Sequence, residues 1–257
     1  MLHETKSTWI LMGVLALLGA GAIAEQAREK MLEPKPLLKL TLRDVKEISR
    51  DCTGCTSMHL AKRQGEWEVT QPFVAPADQD QVQKLIEIAA SPIRRSYAAA
   101  ELDPGKIGLV PPFATLILGS RTLEFGTTEP IRNDRYVRVG STMALVQDRF
   151  SQLLTATPES FVDRRPMARA RRLLSARVMG NPMDAKALEN LAKLVAVRVE
   201  PPPSRFAAHN INVEIEGGRS AVLRFEVRGE ELALVRVGVP VVYIIDRASA
   251  STIGLGW

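Results

Sequence analysis

Side chains that carry chemistry are scarce in this sequence. Its 257 residues include two cysteines and three histidines, and aromatic residues make up 5%. Cys52, Cys55, His59 and His209 are the only soft donors beyond His3, too few and too scattered for a four-ligand zinc site. There is no G-x-S-x-G, no H-E-x-x-H and no Walker loop, which excludes the hydrolase, zincin and P-loop chemistries those motifs build. Acidic residues are spread along the chain, mostly as outward partners on strands or as helix caps, and the sequence by itself singles out no pair for acid–base work. The expectation is a protein that is not an enzyme, with no cofactor and no metal.

The two cysteines form one C-x-x-C, in Asp51-Cys52-Thr53-Gly54-Cys55-Thr56, between two strand-like segments. Thr53-Gly54 supplies the centre of a β-turn, because glycine takes positive φ without strain. The ends of such a turn lie within disulfide reach. A thioredoxin-type pair needs a following helix to activate the thiol, whereas TSMHLAKRQ alternates like a strand. Haem attachment needs histidine after the second cysteine, and residue 56 is threonine. Cys52–Cys55 therefore reads as a disulfide clip on a hairpin, with a thiol–disulfide role as the alternative.

Long apolar runs are confined to the N-terminus. Residues 8–24 read TWILMGVLALLGAGAIA, seventeen residues without a charge. As a helix this reaches roughly 26 Å, enough for a thin hydrocarbon core. Lys6 precedes it, as in an export signal. The A-x-A at residues 22–24 offers a cleavage site, but Trp9 at an interfacial position and the unbroken EQAREKML favour an uncleaved anchor over residues 1–30. The expected location is the bacterial inner membrane, crossed once, with the body in the periplasm.

The body is ordinary globular material, 25% charged and 46% hydrophobic, with a formal net charge of +5. Behind an export signal that charge points to anionic lipid headgroups and not to nucleic acid. It is concentrated in one place: five arginines, Arg164, Arg165, Arg169, Arg171 and Arg172, fall within nine residues. A solvated linker helix is one reading and contact with lipid phosphate or an acidic partner is the other.

An internal repeat organises the rest. VRVG at residues 137–140 is followed by Asp148-Arg149, and VRVG at residues 235–238 by Asp246-Arg247, at the same spacing and 98 residues apart. Upstream, Pro76-Ala77-Asp78 leads into Val82, Leu85, Ile86 and Ala89, while Pro182-Met183-Asp184 leads into Leu188, Leu191, Ala192 and Val195. Both are capped amphipathic helices. Period-two alternation follows, as in Ile211, Val213, Ile215 and in Leu223, Phe225, Val227. LLKLTL at residues 37–42 and EWEVT at residues 66–70 read as further strands. The expected fold is α+β: the N-terminal membrane helix, then two related units, each a helix packed on an antiparallel sheet. The first unit spans 36–163 with extra N-terminal strands, a basic linker spans 164–181, and a shorter second unit spans 182–257.

GEWEVTQP at residues 65–72, AAELDPGKIGLVPP at 99–112, LEFGTTEP at 123–130, RYVRVG at 135–140 and FVDRR at 161–165 occur together and in order. In this the chain resembles the proteobacterial form of the domain-of-unknown-function 4340 family. The resemblance implies membrane-anchored periplasmic α+β proteins encoded near transporters of the ATP-binding-cassette class. It carries over no catalytic residue. The functional expectation is a non-catalytic, membrane-tethered accessory module that binds a protein partner in a membrane complex of that transporter type. The alternative is a binding module for a cell-envelope glycan or lipid.

Overall fold

In a computed structural model the described residues are 35–255, apart from 42, 99, 203–205, 207 and 208. The chain opens with β1 (Glu47–Cys52), β2 (Met58–Arg63), β3 (Glu66–Gln71) and the short β4 (Ala75–Pro76). Helix α1 (Gln79–Glu87) follows, then β5 (Ile93–Ala98), β6 (Ala114–Leu118), β7 (Arg121–Thr128), β8 (Asp134–Val139), β9 (Thr142–Gln147) and α2 (Ser151–Thr155). These strands form one nine-stranded sheet in the order β4-β3-β2-β1-β6-β7-β8-β9-β5. Next come β10 (Leu173–Val178), β11 (Asn181–Pro182), α3 (Ala185–Lys193), β12 (Arg198–Glu200), β13 (His209–Ile215), β14 (Arg219–Arg228), β15 (Glu231–Arg236), β16 (Val242–Asp246) and α4 (Arg247–Thr252). They build a seven-stranded sheet in the order β11-β10-β13-β14-β15-β16-β12.

Strand accounts for 45% and helix for 17%, which corrects the α+β expectation. The helices are real but cannot form a layer. The longest, α1 and α3, have nine residues each, about 13 Å of rod. Nine strands at about 4.8 Å spacing span roughly 40 Å. The architecture is two antiparallel sheets with short helices at their margins. The single-pass inner-membrane placement, and the periplasmic body that depended on it, is corrected as well. Among the described residues no helix is long and apolar enough to cross a membrane, and residues 8–24 lie outside the described residues.

Alternation decides most strand faces. β13 buries Ile211, Val213 and Ile215 and exposes Asn212 and Glu214. β14 buries Leu223 and Phe225, but Val227 is 43% exposed near the strand's end. Residues 37–41 of the LLKLTL segment are not a strand: Leu37 and Leu38 donate their backbone N–H groups to Ser91 and Ala89 beyond α1. Both long helices start on an aspartate cap, Asp78 accepting from Gln81 N–H and Asp184 from Ala187 N–H. Helix α1 buries Val82, Leu85 and Ile86. Helix α3 buries Ala187 and Leu191, leaving Leu188 half-buried and Ala192 exposed. Its buried face is therefore turned from the Leu188, Leu191, Ala192 stripe expected from its sequence.

The sheets share a plan. In each, a hairpin (β3–β4, β10–β11) leads to a capped helix, an edge strand (β5, β12), a four-stranded meander and a terminal helix. Ala77 N–H donates to Trp67 C=O at 3.0 Å, and Met183 N–H donates to Ala176 C=O at 2.9 Å, at the same step of each hairpin. The two VRVG segments end β8 and β15 and turn at Gly140 and Gly238, both at positive φ. Asp148 then accepts from Ser151 N–H ahead of α2, and Asp246 from Ser249 N–H ahead of α4. The difference lies in one insertion. The β1–β2 hairpin is wedged between β3 and β6, whereas β10 lies directly against β13. One continuous apolar core takes side chains from both sheets, Trp67 and Phe125 from the first and Leu223 and Tyr243 from the second.

Candidate functional site

The five arginines of the basic segment have separate fates. The segment is not a helix; it runs as turns and extended chain between the sheets. Arg165 chelates Asp163, with its Nη2 2.6 Å from the carboxylate. Arg169 sits on the hairpin of the first sheet. Its guanidinium reaches Glu66 at 2.6 Å, Glu68 at 2.5 Å and the carbonyl of Trp67. Arg236, the arginine of the second VRVG, holds the segment from the other side by donating to the carbonyls of Pro166 and Ala168. Arg165 and Arg169 are thus engaged by carboxylates of the chain itself. Arg164, Arg171 and Arg172 are exposed, and among the described residues no side-chain partner engages them.

Arg171 and Arg172 stand at a groove of about 490 Å³ whose other walls are Leu173, Leu174, Ala185, Leu188, Glu189 and Ala192. Leu174 is 53% exposed there. The groove exists for two reasons. Helix α3 turns part of its apolar stripe away from the core, and among the described residues β10 meets only the two-residue β11 on its outer side, at Arg177 and Val178. The corresponding edge of the first sheet is covered, since Arg169 occupies the Trp67 carbonyl. In the second sheet the equivalent Ala176 carbonyl is taken by Met183 N–H, and among the described residues the edge at residues 173–175 stays open next to free cations and apolar surface. A strand edge of this kind accepts an added strand.

At the turn between β1 and β2 of the first sheet, Cys52 and Cys55 form a disulfide, with Cα atoms 5.5 Å apart. Gly54 has φ 76°, which glycine provides at no cost. Beside the bond lies a residue the sequence reading did not single out. Arg50 is 1% exposed. Its Nη1 faces Cys55 Sγ at 2.6 Å and Cys52 Sγ at 3.3 Å, and its Nη2 donates to Ala156 C=O at 2.8 Å. Its Nε has no hydrogen-bond partner among the described residues. Burial pushes the guanidinium below its ordinary value, opposed by the charge of Asp51. The signal was present in the sequence: in EISRDC the period-two register that buries Ile48 and Cys52 buries residue 50 too.

Another concavity, about 350 Å³, is lined by Arg94, Arg95, Tyr97, Asp134 and Tyr136 among others. Asp134 is 3% exposed and lies 3.5 Å from Arg94. Burial, then the neighbouring Tyr97, raises the Tyr136 phenol above its ordinary value. Among the described residues no group of three or more His, Cys, Asp or Glu could hold a metal ion. His59 Nδ1 is taken up by Thr70 Oγ1 at 2.6 Å, and His209 packs on Phe225.

Fold and site together define a two-sheet antiparallel protein with a basic–apolar groove on one sheet edge and a disulfide-clipped hairpin on the other sheet. The chain belongs to the family described as Domain of unknown function (DUF4340), whose family model matches residues 67–199. That span runs from β3 into β12 and includes the basic segment and α3, but not Arg50 or the cysteine pair. Comparison with curated proteins and with solved structures finds no match.

Proposed function

We propose that this protein is a non-catalytic accessory module that acts by binding a protein partner in the groove between β10 and α3. The observation that carries this reading is the pairing of Arg171 and Arg172, unpartnered among the described residues, with exposed Leu174 and half-buried Leu188 on an open strand edge. That chemistry suits a partner segment with acidic and apolar side chains, laid along β10 as an added strand. Arginine forks would hold the carboxylates while main-chain bonds extend the sheet. A complex of the ATP-binding-cassette transporter class is the partner to test first, on the strength of the family resemblance. The test is crosslinking and affinity purification with the full chain, comparing the parent with an Arg171→Glu/Arg172→Glu variant. Recovery of one partner by the parent, and its loss in a folded variant, supports the reading. Equal recovery by both removes it.

A second reading, a binding module for a glycan or lipid, is favoured by the concavity around Tyr97 and Tyr136, where arginine and tyrosine offer hydrogen bonds and ring faces. A small molecule that copurifies with the parent and is lost on Tyr136→Ala would bring it forward.

A further inference from the structure

Among the described residues two arginines are buried, and they are served differently. Arg135 is 8% exposed, pairs with Asp148 at 2.8 Å and lies over the ring of Phe113. Its charge is answered by a carboxylate. Arg50 is more deeply buried, yet no carboxylate lies within ion-pair distance of it among the described residues. Asp51, the charged group that acts on it, is exposed and takes a hydrogen bond from Ser57. What Arg50 faces are two sulfur atoms. In the disulfide these are neutral and weak acceptors. A buried cation without an answering charge is costly, and removing water from it deepens the cost. Reduction of the bond would place a thiolate at one of these two positions and supply the missing anion.

We propose that Cys52–Cys55 is an exchangeable disulfide that accepts electrons from a dithiol, with Arg50 as the positioning cation for the thiolate formed. This goes beyond the partner-binding reading and does not depend on it. Cys55 is half-buried where Cys52 is buried, so the attacking thiolate of the dithiol bonds to Cys55 Sγ. The Cys52–Cys55 bond breaks and Cys52 leaves as thiolate, facing Arg50 Nη1. The second sulfur of the dithiol, as thiolate, then attacks its own partner sulfur in the mixed disulfide and expels Cys55. Two electrons have passed to the protein, and the dithiol departs as a disulfide. One cysteine stays ionised against Arg50, the other takes up a proton, and the remaining proton goes to solvent. No helix N-terminus is needed, because the guanidinium supplies the positive potential that such a terminus provides elsewhere.

The test uses the full chain reduced with dithiothreitol, and compares its rate of alkylation by iodoacetamide at pH 6 with that of a reduced peptide of residues 51–56. An ordinary thiol is only a small fraction thiolate at this pH. The folded protein should react at least about tenfold faster than the peptide, and an Arg50→Met variant should lose that advantage while Arg50→Lys keeps part of it. In glutathione buffers the parent should hold more of the dithiol form than Arg50→Met, by a similar factor. The comparison of folded parent with peptide needs no variant, so it decides the matter even if Arg50→Met does not fold. A peptide-like rate in the parent, or a disulfide that dithiothreitol leaves intact in the folded chain, would make the bond a structural clip and overturn the proposal.

Discussion

A charged side chain inside this protein is held by whatever answers it, and Asp148 shows how much rests on one such answer. Its carboxylate receives Arg135, the hydroxyl and backbone N–H of Ser151, and so ties β8 to the start of α2. Burial raises its pKa, but the bonds from Ser151 and Arg135 outweigh this and hold the carboxyl below its ordinary value. A lowered folded value means stabilisation that is present above the unfolded value of about 4 and lost as pH falls through the folded one. Asp148→Asn should therefore cost about 1–3 kcal/mol at pH 7, leaving Arg135 buried without its counter-charge. It should also flatten the acid limb of the stability–pH curve. Urea melts of parent and variant from pH 7 down to pH 3 measure both effects; curves that keep a constant separation would show that Asp148 is not the titrating group. At this scale the sequence was only partly legible. Asp78 and Asp184 announce themselves as caps by position, whereas Arg50 looks like any outward arginine until the strand's register is known.

Strand faces were largely readable because burial follows a period of two, and β13 keeps that period from Asn210 to Ile215. Helix α3 was harder, since a stripe of Leu188, Leu191 and Ala192 and one of Ala187, Leu191 and Leu194 differ by a small rotation. Tertiary packing chose the second, burying Ala187, Leu191 and Leu194. Residues 37–41 have a strand's composition but pair with no strand among the described residues, and the N–H groups of Leu37 and Leu38 are satisfied just beyond α1 instead. The helices carry a clear expectation. Leu85 and Leu191 are both 0% exposed, so alanine at either should cost about 2–5 kcal/mol. Leu188→Ala, facing the groove, should cost under about 1 kcal/mol and should weaken partner capture instead. Denaturant midpoints for the three variants separate these outcomes. A Leu188 cost as large as that at Leu191 would mean that the groove is core.

For the molecule as a whole, the question is whether two sheets of like plan behave as two bodies or one. The repeated VRVG and Asp-Arg pairs made the common plan readable, but the β1–β2 wedge and the stitching of the linker were not. Those depend on contacts between residues far apart in sequence, such as Arg169 with Glu66 and Glu68, and Arg236 with the carbonyls of Pro166 and Ala168. The Ala196 N–H also donates to Arg164 C=O, binding the segment after α3 to the linker. Because a single apolar core takes side chains from both sheets, unfolding one would expose the buried face of the other. Cooperative loss is then favoured over stepwise loss. Hydrogen exchange read by mass spectrometry in rising urea should show β7–β8 and β14–β15 losing protection at one midpoint. Arg169→Ala, which cuts the stitch to the first sheet and leaves the core intact, should lower that shared midpoint without splitting it. Two separated midpoints in the parent would establish independent sheets and confine the role of the linker arginines to their own loop.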